Sequence, residues 1–123
     1  MFGLKPNADF SFLTGQTLIQ ICFGEHDLIL HFDGGFSGAA TAISITSLIS
    51  LQLPESEQYE WEDFRQGAGF LVALVSNKVA KADGTTDGTL TIEFCEGGVL
   101  KIYDNSKRYE SYSVGHGDKL IVV

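Results

Sequence analysis

A chain of 123 residues that is 44% hydrophobic and 20% charged is long enough to bury one ordinary core and too apolar for a disordered segment. Sixteen acids against eight bases leave a formal net charge of −8, a field that repels phosphate backbones and so excludes a general nucleic-acid binder. The same field suits a cationic partner, and no apolar run approaches the length of a membrane span.

The first nine residues lack the basic start and apolar stretch of a signal peptide, so the expected compartment is the cytoplasm. Phe2, Leu4, Phe10, Phe12 and Leu13 are too apolar for a loose tail and are expected to dock on the body. Gly15 opens a strand over 17–23 that reads as Thr17, Ile19, Ile21 and Phe23 on one face, with Leu18, Gln20 and Cys22 on the other. After a polar turn at 24–27, Leu28, Leu30 and Phe32 alternate with Ile29, His31 and Asp33, and Gly34-Gly35 ends that strand. Residues 39–53 carry no charge and read as one strand with an extension.

A break follows. Glu55, Glu57, Glu60, Glu62 and Asp63 are interleaved with Tyr59, Trp61 and Phe64 in a segment expected to be a long loop or a short helix. The apolar run 70–75 reads as a strand reaching residue 79 or 81, and the two Asp-Gly pairs within 83–88 mark a turn. The strongest local signal comes next. Leu90, Ile92 and Phe94 alternate with Thr91, Glu93 and Cys95, Gly97-Gly98 supplies the positive φ angles of a tight turn, and Leu100 and Ile102 resume the alternation. A polar connection at 104–108, an alternating stretch at 109–114, a turn at 115–118 and a short apolar strand at 119–123 complete the chain. No stretch carries a sustained helical stripe with caps at both ends, so no long helix is expected.

Residues 28–35 and 90–98 share the order apolar-x-apolar-x-Phe, then an acid and Gly-Gly, with one extra residue in the second copy. That residue is expected to form a bulge beside the turn. Gly15 and Gly69 each lead a β-rich run ahead of these copies, which suggests an internal repeat of approximately 13–53 and 67–123 joined by the acidic segment 54–66. The expected fold is one all-β domain over 1–123, a sandwich or partly open barrel built from two similar β-meanders with a short helix or loop between them.

Chemistry-bearing residues are scattered. Glu25, His26, His31 and Asp33 match no metal-ligand spacing, and His116 sits in a Gly-flanked turn with no nucleophile paired to it in sequence. Cys22 and Cys95 are expected as thiols in or near the core rather than as a disulfide. There is no Gly-x-Ser-x-Gly elbow and no phosphate loop, and Glu93 with Glu110 reads more simply as solvent-facing strand carboxylates than as a catalytic pair. The chain therefore reads as non-enzymatic, with no catalytic residues, metal or cofactor. The distinctive polar feature is the acidic-aromatic segment, whose Glu55, Glu57, Tyr59, Glu60, Trp61 and Glu62 would anchor and steer a basic protein partner. The competing view has Trp61 and Phe64 plugging one end of the sandwich while the acids stay solvated. A small-ligand site between the two halves is the alternative function, and exposed strand edges, above all the C-terminal one, offer a route to a homodimer.

Gly-x-Leu-x-Ile-x-Phe-x-x-Gly-Gly-x-Leu-x-Ile at 88–102, followed by Tyr109-Glu110-Ser111-Tyr112, resembles a family of small bacterial all-β proteins of unknown function. That family carries Trp where this chain has Tyr112. The resemblance covers roughly 60–123 and implies an all-β fold, with a character similar to the immunity proteins of bacterial toxin systems. It implies no catalytic residue.

Overall fold

The computed structural model describes residues 3–5, 8–35, 38–54, 58–61, 64–105 and 110–123, with the side chains of 64 and 65 excepted. Two five-stranded antiparallel sheets face each other. The first contains β1 (Gln16–Phe23), β2 (Leu28–Gly34) and β3 (Thr41–Ile45), followed in space by β9 (Tyr112–His116) and β10 (Lys119–Val122). The second runs β6 (Val79–Gly84), β7 (Leu90–Phe94), β8 (Val99–Ile102), β4 (Ile49–Gln52), β5 (Gln58–Trp61). The all-β sandwich expected from the alternation is the fold, and no barrel closes.

The strand order of one sheet becomes that of the other when each strand is advanced by five places, cyclically. Each half is a three-stranded meander whose following hairpin crosses to the opposite sheet. β4 pairs with β8, and β9 pairs with β3. The uncharged run 39–53 is thus two strands in different sheets rather than one strand with an extension. The irregularities correspond as well. In the β1–β2 ladder the register shifts between Leu18 and Gln20, and in the β6–β7 ladder between Val79 and Lys81. Ile19 and Ala80 are the extra residues, lying opposite the steps Phe32–His31 and Phe94–Glu93.

The first bulge corrects the reading of β1. A bulge inserts one residue and reverses the parity of everything beyond it. Leu18 is fully buried, Ile19 is 53% exposed, and Gln20 lies opposite His31 on the outer face. The counterpart of β1 is β6, not the run 70–75. That run is helical: α1 (Ala68–Leu71) passes into a 3-10 turn (Val72–Leu74), burying Leu71 and Leu74 while Phe70 and Val72 face out. Burial at spacing three and exposure at the residues between are what one helical face gives.

Leu18, Leu28, Leu30, Phe32, Ile43 and Ile45 from one sheet meet Ile49, Leu51, Leu90, Ile92, Leu100 and Ile102 from the other, all without solvent exposure. The space between the halves is filled by these side chains. β7 and β8 form the expected hairpin around a three-residue loop, in which Gly97 alone takes the left-handed conformation, at φ +105°; Gly98 is an ordinary strand-end residue. At one corner β1 is pinned to the start of β6: Gly15 N–H donates to the Val79 carbonyl at 2.8 Å, and Leu18 N–H to that of Asn77 at 3.0 Å. The N-terminal segment docks as its aromatics require, with Phe10 and Leu13 buried around a short 3-10 turn (Ser11–Leu13). Asp104 holds that segment in place, accepting from Gly3 N–H at 2.7 Å and from the Ser111 hydroxyl at 2.6 Å. None of the described helices is long and apolar enough to cross a membrane.

Candidate functional site

The acidic-aromatic segment is neither a loop nor a helix over its central residues. It forms β5, an edge strand paired only with β4, in the register Leu51 opposite Tyr59, Ser50 opposite Glu60 and Ile49 opposite Trp61. Strand alternation therefore sends Tyr59 and Trp61 toward the core side, where Leu51 and Ile49 lie, and Glu60 to the outer face. Glu55, Glu57, Glu62 and Asp63 lie outside the described residues, as does the Phe64 side chain.

Trp61 is 9% exposed and belongs to the core. Tyr59 stacks on it with centroids 5.8 Å apart and rings 8° from parallel. The third ring comes from α1. Phe70 lies 4.5 Å from Tyr59 and 5.7 Å from Trp61, near parallel to both, yet remains 40% exposed. Gly67 makes the approach of the helical turn possible, because a Cβ there would sit 2.5 Å from the Trp61 indole. Sequence reading missed Phe70 as a surface residue. Its contact with Tyr59 is tertiary, and the apolar run around it carries no period that would have marked an exposed face.

The cluster thus grades from a buried indole, through a half-buried phenol, to an exposed phenyl ring, on the side of the edge strand opposite the one that Glu60 faces. Stacked rings offer flat apolar area at low side-chain entropy cost, and their faces attract cations. The Glu60 carboxylate on the same strand adds a field for basic groups. Such an arrangement offers a surface on which a basic group can rest.

The other candidate residues are dispersed. His26 and Glu25 form an exposed pair at 3.6 Å, while His31 lines a hollow of about 370 Å³ on the outer face of the first sheet, beside Gln20 and Ala42. His116 Nδ1 shares a 2.9 Å hydrogen bond with the Thr41 hydroxyl and its ring stacks on Phe12 at 4.3 Å. Among the described residues no three His, Cys, Asp or Glu side chains gather round one point. Glu93 lies on β7 in the second sheet and Glu110 just before β9 in the first, so they do not face each other across neighbouring strands. Both cysteines are free thiols, but neither is in the core: Cys22 is half-buried on the outer face of β1, and Cys95 is exposed in the β7–β8 loop. The burial expected of them fails because Cys22 lies beyond the bulge and Cys95 beyond the strand end. Comparison of the chain with protein-family models, curated proteins and solved structures finds no significant match.

Proposed function

We propose that the protein is a non-enzymatic interaction domain of the immunity type, binding a basic partner protein through β5 and the adjoining helical turn. One observation carries the reading: the exposed Phe70 ring is stacked on Tyr59 at 4.5 Å, next to the strand that bears Glu60. A ring left 40% exposed although packed against two others is an anchor rather than a core residue. The sequence on either side adds Glu55, Glu57 and Glu62, and the whole chain carries −8, so Lys and Arg side chains are drawn to this edge. A guanidinium placed on the exposed Phe70 ring would be held by its face, with the acids of the segment adding a longer-range field.

The test is capture from the native host with mass spectrometry, using wild-type protein, a variant with Glu55, Glu57, Glu60 and Glu62 reversed to Lys, and Phe70→Ala. A basic protein retained by the wild type at low salt, lost by the charge-reversed chain and weakened at least tenfold by Phe70→Ala is the expected result, the last corresponding to about 1.4 kcal/mol of anchor contact. Equal recovery of the same partner by all three proteins would rule the site out.

A further inference from the structure

Among the described residues, β5 and β10 are the sheet edges away from the pinned corner, and the five-place correspondence makes them equivalents. They are treated in opposite ways. β5 is guarded in the manner usual for edge strands, with Glu60 on it and acids in the sequence on both sides. β10 is Lys119-Leu120-Ile121-Val122, with Leu120 67% and Val122 48% exposed. It carries no acid.

Its backbone is ready to pair. Val123 exchanges N–H and C=O bonds with Tyr112, and the ladder register places Val122 opposite Ser113 and Leu120 opposite Gly115. Pairs in an antiparallel ladder alternate between bonded and non-bonded, so Leu120 and Val122 turn their N–H and C=O groups away from β9, to the open edge. Alongside runs a groove of about 610 Å³ whose other wall is Gly3, Leu4, Lys5, Ala8 and Asp9.

We propose that a second copy of this chain occupies this edge, as a two-fold dimer in which β10 pairs antiparallel with its counterpart and Ile121 lies on the axis. Self-pairing is favoured by the sequence of the strand. With Ile121 on the axis, Leu120 falls opposite Val122 of the second copy, so every cross-strand pair over 120–122 is apolar and the outward backbone groups of both copies meet. Charge selects the same place. Two chains of −8 repel each other over most of their surfaces, whereas the groove walls contribute Lys5 and Lys119 against Asp9 alone. The pairing joins the first sheets of two copies into one ten-stranded sheet and leaves β5 free, so it stands independently of the partner site above.

Sedimentation equilibrium of the full chain over roughly 1–500 µM tests it, with backbone hydrogen exchange read at the same concentrations. The expected wild-type result is a mass rising from 13.4 kDa to twice that value, with Leu120 and Val122 amides becoming protected as it rises. Leu120→Glu replaces a side chain that is 67% exposed and puts a carboxylate into both Leu120–Val122 pairs; it is expected to weaken the dimer at least tenfold while leaving the thermal transition of the dilute protein in place. Val122→Pro removes one outward N–H without touching a bond to β9 and is expected to do the same. A wild type that stays at 13.4 kDa throughout overturns the proposal, as does a dimer whose affinity Leu120→Glu leaves unchanged.

Discussion

The Tyr112 hydroxyl donates a buried 2.7 Å hydrogen bond to the Gly88 carbonyl, tying β9 of the first sheet to the turn that precedes β7 of the second. Tyr112 is 1% exposed, so this bond bridges the two layers out of reach of water. Tyr112→Phe keeps the ring and strands the carbonyl. A cost of about 1–3 kcal/mol is expected, seen as a fall in the thermal midpoint of roughly 3–6 °C per kcal/mol for a chain of this size. Burial, with the nearby Asp87 carboxylate as a smaller cause, pushes the Tyr112 phenol well above its ordinary value near 10. The folded state therefore holds this proton after the unfolded chain has released it. Stability from Tyr112 is intact below that ordinary value and is lost as pH rises beyond it, at up to about 1.4 kcal/mol per pH unit. Denaturant titrations from pH 8 to 11 are expected to show a steeper alkaline loss in the wild type than in Tyr112→Phe. Parallel pH profiles would show that the buried phenol plays no part in alkaline unfolding.

The helical turn makes a prediction with a period. Leu71 and Leu74 are buried, while Val72 between them is 56% exposed. Leu71→Ala and Leu74→Ala are each expected to cost about 2–5 kcal/mol in chemical denaturation, and Val72→Ala less than about 0.5 kcal/mol. A strand over the same residues would instead pair the loss at Val72 with that at Leu74. Three denaturation curves decide between the two patterns.

Asp104 gives a third. It accepts from Gly3 N–H and from the hydroxyl of Ser111, holding the N-terminal segment against the residue that leads into β9. Asp104→Ala is expected to cost about 1–3 kcal/mol, and Asp104→Asn, which retains one acceptor, about half of that. The Ala variant should also open residues 3–13 to limited proteolysis before the global transition. Unaltered cleavage kinetics in that segment would mean that Phe10 and Leu13 alone hold it.

Much of this architecture was legible in the residues, and the rest was lost for definite reasons. The hairpin of β7 and β8 was clear because alternation on both sides of Gly97 leaves one register that buries Leu90, Ile92, Leu100 and Ile102 together. The six apolar residues 70–75 have no such period. An apolar run of that length fits a buried strand as well as a helical turn, and Gly67 ahead of α1 offers no side-chain cap to announce it. The passage from β3 to β4 was hidden in the same way, since Thr46, Ser47 and Leu48 change sheets without a Gly or Pro. At Ile19 the next apolar residue comes two positions on, so unbroken alternation concealed the bulge. The candidate site was half visible. Acids and aromatics announced the segment of Tyr59, Glu60 and Trp61, but Phe70 joins it only through folding.

The crossing of each hairpin to the opposite sheet has a consequence for how the chain reaches its native state. Neither half can bury its own apolar faces, because the fourth and fifth strands of each sheet come from the other half. An isolated meander from either end is a three-stranded sheet with its core face in water. The closing events are β3 with β9 and β4 with β8, which join residues some seventy and fifty positions apart. Formation is therefore expected to be concerted and slow, in the range of proteins dominated by non-local strand pairing, with no half-built species stable enough to accumulate. Cutting the chain between β5 and β6 would leave two pieces that each lack what the other supplies, and whose ordered form is the reassembled pair.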